Sequence, residues 1–83
     1  MESNFMIIKI SKRSTKAPEV QGVLTKFGCS IKVRLGLHEA AGDACSEEGI
    51  LFLQLAGDKD EMKELEKELK KMEGVQAKMV SLD

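Results

Sequence analysis

The architecture of this chain follows from GILFLQLA at residues 49–56, which alternation predicts to be a β-strand that is apolar on both faces. Its three leucines point to one face, and Ile50 and Phe52 point to the other. The same property marks NFMIIKI at residues 4–10. The two faces of that strand carry Met6, Ile8 and Ile10 on one side and Phe5 and Ile7 on the other. Strands with two apolar faces belong at the centre of a sheet, where both faces can be covered.

Two helices are predicted outside these strands. Pro18 suits the first turn of one helix, and Gly28 is expected to close it in the left-handed conformation. The other helix begins at Asp58, three residues before Glu61, and ends at Gly74. Each helix has one apolar stripe at helical spacing. The stripes consist of Ala17, Val20, Val23, Leu24 and Phe27 in the first helix and of Met62, Leu65, Leu69 and Met72 in the second.

Two further strands complete the set. The pattern predicts them at SIKVRLGLH, residues 30–38, and at VQAKMVSL, residues 75–82. The small and acidic residues at 40–48 are expected to form a loop. Strict alternation in the earlier strand places Ile31, Val33, Leu35 and Leu37 on one face and Lys32, Arg34, Gly36 and His38 on the other.

The order of these elements is strand, helix, strand, strand, helix, strand. With right-handed crossovers it predicts an α+β fold, the ferredoxin-like βαββαβ plait. This plait is a four-stranded antiparallel sheet with both helices on one face. Its first and third strands are central. The 83 residues have room for a single domain spanning 1–83.

The second face of the sheet lacks a cover within the chain, because two helices shield only one face. Phe5, Ile7, Ile50 and Phe52 would form a large exposed apolar area on a monomer. The sequence therefore predicts a homo-oligomer that associates through the sheet. An apolar face that stays open in a monomer is the alternative interpretation.

Composition excludes several classes of protein. The net charge is −1, and the chain has three Phe, no Trp and no Tyr, which argues against direct nucleic-acid binding. Apolar runs are too short to span a bilayer, and the start MESNFMIIKI lacks the basic segment of a secretory signal, so a cytoplasmic location is predicted. Two cysteines cannot build the disulfide framework of a small secreted domain.

Catalysis has no support in the residues. With one histidine, the sequence offers no set of nucleophile, base and orienting group. Phosphate-binding and zinc-protease motifs are absent from it as well. We therefore expect a protein that is not an enzyme.

A metal site is one candidate for function. His38 is predicted at the end of a strand, and Cys45 follows seven residues later, across the turn. Imidazole and thiolate suit zinc, nickel or copper, and a neighbouring chain of a symmetric oligomer could supply the other ligands. The alternatives are a solvent-facing histidine with a small loop cysteine, or a polar pocket without metal. Cys29 is expected to pack as a small apolar residue.

A small anion is the other candidate ligand. Lys32 and Arg34 share a strand face with Gly36, and residues 1–38 carry seven basic and two acidic groups. Such a basic face could hold an anion. The alternative is a solvated edge that discourages strand-to-strand aggregation.

Nearly the whole chain resembles one family. The segments are VQGVLTKFGCSIKVRLGLHE at residues 20–39, CS at 45–46, GILFLQL at 49–55 and EGVQAKMVSLD at 73–83. Together they resemble the small ACT-like proteins known as iron-only hydrogenase system regulators. The segment Arg34-Leu35-Gly36 and the closing Gly74, Val75 and Lys78 stand where that family has them. The resemblance implies a single ACT-like domain, a sheet-mediated oligomer and a regulatory role.

The same plait is similar to the ligand-sensing domain of nickel-responsive repressors. Metal ligands there come from the second strand and the start of the third and bridge subunits, and His38 and Cys45 fall in comparable places. ACT domains more often hold small molecules such as amino acids between chains, near a glycine-bearing turn after the first strand. The corresponding segment, SKRSTKAP at residues 11–18, has no glycine.

The sequence thus predicts a stand-alone regulatory or sensor module. It would bind a small ligand or a metal such as nickel or zinc at an oligomer interface and act through a protein partner, without binding nucleic acid or membrane. The alternative function is a structural or assembly subunit without a ligand.

Overall fold

The computed structural model describes residues 3–11, 16–41 and 44–82, and for residues 17, 37–41 and 44–48 it describes the backbone alone. Four strands and two helices follow one another in the predicted order. They are β1 (Ser3–Ile10), α1 (Ala17–Lys26), β2 (Ile31–Ala41), β3 (Ala44–Leu55), α2 (Lys59–Lys70) and β4 (Val75–Leu82), with a 3-10 turn at Gly28–Ser30 between α1 and β2.

The four strands form one antiparallel sheet in the order β2-β3-β1-β4. The two strands with two apolar faces are central, as predicted. Ile7 lies opposite Phe52 on one side and Lys78 on the other. This is the ferredoxin-like, ACT-like plait, and the predicted fold class is confirmed.

The core lies between the helices and one face of the sheet. Each central strand contributes alternate side chains to it, and each helix contributes its apolar stripe. The buried residues are Met6, Ile8, Ile10, Val20, Leu24, Leu51, Leu53, Leu55, Met62, Leu65, Leu69, Val75 and Ala77. The side chain of Ala17 lies outside the described residues, so its place in the stripe stays a prediction.

The start of α2 is fixed by its cap. Gly57 precedes it with a φ of 87°, a conformation that disfavours other residues, and Asp58 then accepts a hydrogen bond from the Asp60 amide at 2.9 Å. The carboxylate of Glu61, three residues after Asp58, accepts a hydrogen bond from the Ser30 hydroxyl at 2.7 Å. That bond joins the 3-10 turn to the second helix.

The end of α1 differs from the prediction. Gly28 does not close the helix in the left-handed conformation, since the described residues with positive φ are Gly57 and Gly74. The backbone tightens into the 3-10 turn, where the Ser30 amide donates to the Phe27 carbonyl at 2.9 Å. This turn leaves Cys29 exposed, so the expectation that it packs inside was wrong.

The predicted loop at residues 40–48 was also wrong. β2 continues to Ala41 and β3 begins at Ala44, with Ala40 opposite Cys45. Small and acidic residues have weak strand propensity, but the rungs Ala40–Cys45 and Ala41–Ala44 extend the antiparallel ladder beyond His38.

One irregularity in β2 changes which side chains share a face. Ile31 lies opposite Leu55, yet Val33 lies opposite Gln54, so Lys32 is an extra residue in a β-bulge. Ile31 consequently packs against the core, whereas Val33 and Leu35 are on the other face. The prediction that Ile31 shares their face was wrong.

Candidate ligand cavity and open sheet face

The register of β2 turns Arg34 and Gly36 toward the helix-covered side of the sheet. Arg34 lies opposite Leu53, and Gly36 lies opposite Leu51. Both leucines belong to the core. Because β2 is an edge strand, Arg34 remains exposed at the margin of that core.

Helix α1 holds the arginine in place. The Nη2 of Arg34 donates a hydrogen bond to Oε1 of Gln21, an exposed residue of α1. A guanidinium has five N–H donors in a fixed plane, so this bond orients the plane and leaves other donors available.

Gly36 shapes the space beside the arginine. A Cβ at this position would lie 3.2 Å from Cδ2 of Leu51, so the absent side chain leaves room beside that leucine. The result is a solvent-open cavity of about 490 Å³, which we call the β2 cavity. It is lined by Ile10, Gln21, Arg34, Gly36, Gly49, Ile50 and Leu51.

The predicted anion-binding set is brought together only in part. Arg34 and Gly36 line the β2 cavity, whereas Lys32 lies at the bulge and is not among the described lining residues. Gln21 was missed, because nothing in the periodicity of α1 sets it apart from other exposed polar residues. Only the packing of α1 beside β2 reveals its role.

The predicted metal ligands lie in the hairpin between β2 and β3. The backbone places His38 opposite Gly49 and Cys45 opposite Ala40, with a register shift between these two rungs. The side chains of both residues lie outside the described part of the structure. Among the residues it does describe, no group of three or more His, Cys, Asp or Glu could hold a metal ion. The metal site stays a prediction.

The other face of the sheet is apolar and uncovered within the chain. Ile7 is 40% exposed, Phe52 39% and Leu35 53%. We call this surface the open face. Its apolar residues are Phe5, Ile7, Val33, Leu35, Phe52, Val80 and Leu82, and they line a shallow groove across all four strands.

Membrane insertion through a helix has no support in the described residues, since neither of their helices has the length and apolarity to cross a bilayer. The polar outer surface of α2 carries ion pairs instead. Lys70 lies 3.7 Å from Glu66, and Lys26 of α1 lies 3.2 Å from Glu68.

Comparison with known proteins identifies the fold and leaves the family open. No protein-family model matches the sequence, and no curated protein matches it. Among solved structures, the uncharacterized protein TM1266 from Thermotoga maritima has a TM-score of 0.82 and 25% identity over 100% of both chains.

Two further structures resemble the fold at lower identity. The ACT domain from GTP pyrophosphokinase of Chlorobium tepidum has a TM-score of 0.65 and 18% identity, covering 96% of this chain and 97% of that one. CPII, a nitrogen regulatory PII-like protein from Thiomonas intermedia K12 bound to ADP, AMP and bicarbonate, has a TM-score of 0.61 and 8% identity, covering 100% and 94%. These likenesses show an ACT-like and PII-like fold. Membership of the iron-only hydrogenase system regulators stays a prediction.

Proposed function

We propose that this chain is a small regulatory module that binds a small ligand in the β2 cavity, assembles through its open face and acts on a protein partner. The observation that carries ligand binding is the position of Arg34. Its guanidinium is held by Gln21 at the mouth of a cavity whose wall includes Leu51. A cationic group beside an apolar wall is the arrangement by which proteins orient small organic anions.

Assembly is supported by the exposure of the open face. Ile7 and Phe52, which lie opposite each other at the centre of the sheet, are both about two-fifths exposed. Leu35 flanks Phe52 on β2, and Val80 and Leu82 extend the groove along β4, where Lys78 lies opposite Ile7. A second copy of the sheet stacked about 10 Å away would cover it.

The structural neighbours add support for regulation. One is an ACT domain of a GTP pyrophosphokinase, and another is a nitrogen regulatory PII-like protein bound to nucleotides and bicarbonate. The same plait thus occurs in a protein that is nitrogen regulatory. A ligand that binds one assembly state of this chain better than another would shift its population and so alter contact with a partner.

Native mass spectrometry of the purified protein tests ligand binding and assembly together. We expect a mass at a multiple of 9.2 kDa, with a small molecule retained in part of the population. A bare 9.2 kDa species at micromolar concentration would contradict it, because it would show neither assembly nor a ligand.

A structural or assembly subunit without a ligand is the second candidate, and the open face favours it independently of the cavity. Thermal shift separates the two candidates, because a ligand that binds only the folded state raises the melting temperature. The panel contains amino acids, 2-oxo acids, nucleotides, nickel, zinc and copper. An oligomer that none of them stabilises would support the assembly role.

A further inference from the structure

The apolar groove of the open face contains a polar side chain near its middle. Gln54 of β3 is half-buried and lines the groove. It lies opposite Phe5 on one side and Val33 on the other, and Phe5 in turn lies opposite Val80. These four residues form one rung across all four strands. Gln54 is the single polar residue among the described residues that line the groove.

The side-chain amide of Gln54 has no partner within the described part of the chain. It forms no hydrogen bond there, and its nitrogen and oxygen remain accessible to water. Any surface that covers the groove removes this water. Covering the groove therefore opposes association unless the covering surface offers the amide both a donor and an acceptor.

A second copy of the chain offers both groups at once. A carboxamide has N–H donors and an acceptor oxygen, so two glutamines related by a two-fold axis can donate to each other reciprocally. In such an interface a residue meets its own copy only beside the axis. Sheets that stack face to face lie about 10 Å apart, and two extended glutamine side chains joined by hydrogen bonds of about 2.9 Å can span that distance.

The lysines of the same face indicate where the contact is centred. Lys78 lies opposite Ile7 on the β4 edge, and Lys9 lies opposite Ile50 one rung further along. Both lysines are exposed. Their ammonium groups avoid the cost of burial at the rim of a contact, where their aliphatic stems can still cover apolar surface. The contact is then centred on the groove, and its axis passes close to Gln54.

We propose that Gln54 sets the register of two copies that stack through the open face, by pairing with the partner's Gln54 across a two-fold axis. This inference rests on the proposed function, since it specifies how the open face is covered. Sliding one sheet over the other would leave both amides buried and unpaired, which is how a single buried polar residue selects one register. Gln54 is thus a positioning residue, and the apolar side chains around it supply the favourable burial.

Mixing of subunits tests the pairing. Gln54→Met replaces the amide by an apolar side chain of similar size, so copies of this variant should associate with one another about as well as wild-type copies do. A mixed pair leaves one amide buried without a partner. After exchange between isotopically labelled wild-type protein and the variant, native mass spectrometry should show mixed pairs at least about fivefold below the statistical proportion.

Gln76→Met is the matched control. Gln76 is exposed on β4 opposite Lys9, and it is not among the described residues that line the groove. This variant should mix with wild-type protein in the statistical proportion. Statistical mixing of Gln54→Met as well would overturn the proposal.

A second pair of variants measures the same contact by affinity. Gln54→Glu nearly keeps the shape of the side chain but brings two carboxylates, which cannot donate to each other, to the axis. At neutral pH it should raise the dissociation constant at least about tenfold in analytical ultracentrifugation, with an unchanged circular dichroism spectrum. Gln76→Glu adds the same charge at the rim and should change the constant by less than about threefold. Equal effects of the two variants would show that Gln54 does not meet its own copy.

Ile7→Lys keeps a failure of this inference distinct from a failure of the proposed function. An oligomer that dissociates in Ile7→Lys, yet mixes statistically with Gln54→Met, assembles through the open face without the amide pair, and it refutes this inference alone. A wild-type chain that stays a 9.2 kDa monomer leaves the open face to a different partner and refutes both.

Discussion

Alanine at two glycines of this chain, Gly22 and Gly57, should change the free energy of unfolding in opposite directions. Gly22 lies in the middle of α1, is exposed and has no atom within 4 Å of where a Cβ would stand. Glycine costs a helix about 0.5–1 kcal/mol relative to alanine. Gly22→Ala should therefore raise the free energy of unfolding by about that amount in urea denaturation.

Gly57 is the matched comparison. Its φ of 87° is a conformation that alanine rarely adopts, so Gly57→Ala should destabilise the fold although open space surrounds the position. If both substitutions change stability in the same direction, the assignment of these two backbone conformations is wrong.

The hypothesis of a metal site also belongs to single residues. His38→Ala and Cys45→Ser should each abolish stoichiometric binding of nickel or zinc, measured by native mass spectrometry after metal loading, since each removes a ligand of the proposed half-site. Cys29→Ser is the control, because this exposed cysteine lies in the 3-10 turn outside the hairpin. Metal retained by both ligand variants would exclude the hypothesis.

At the scale of elements, the β4 edge of the sheet is protected by a side chain from a helix. Glu66 of α2 accepts a hydrogen bond from the backbone amide of Met79 at 2.8 Å. An unpaired amide on an edge strand is a template for pairing with another chain. This carboxylate therefore both anchors α2 to β4 and occupies the Met79 amide at the edge.

Removing that carboxylate should affect stability and aggregation together. Glu66→Ala should lower the free energy of unfolding by about 1 kcal/mol, because a hydrogen bond to a charged, partly buried group is lost. It should also increase light scattering on warming. Glu64→Ala, an exposed change on the same helix, should do neither. Identical behaviour of the two variants would show that Glu66 does not protect the edge.

The elements also show which features of the structure could be predicted from the sequence and which could not. The strand pattern of Ile7 and Phe52 and the helical spacing of Met62, Leu65 and Leu69 are repeated local signals, so the fold could be predicted from them. The contact between Gln21 and Arg34 arises only when α1 packs beside β2, so no pattern within either segment of the sequence predicts it. Two of the three residues predicted to bind an anion, Arg34 and Gly36, therefore line the β2 cavity, whereas Gln21 was not predicted.

At the scale of the whole molecule, the sheet separates two surfaces, the β2 cavity on the helix-covered side and the open face on the other. A charge placed at the centre of the open face tests the role of that surface. Ile7→Lys should shift the protein to a 9.2 kDa species in light scattering while its circular dichroism spectrum is kept, because a buried, unpaired ammonium opposes association.

A lysine on the opposite side serves as the control. Thr25→Lys adds the same charge to the exposed surface of α1 and should leave the oligomer intact. An oligomer that persists in Ile7→Lys would place the contact between copies elsewhere on the molecule.

The bulge in β2 has a consequence for how this strand can change in length. A chain lacking Lys32 would have Ile31 and Val33 adjacent in sequence and opposite consecutive residues of β3, so the ladder would be regular from Ile31 to His38. Arg34 would keep its side of the sheet, and so would Val33. Lys32 is thus a position at which the strand can lose one residue while the side that lines the β2 cavity and the side that forms the open face are both kept.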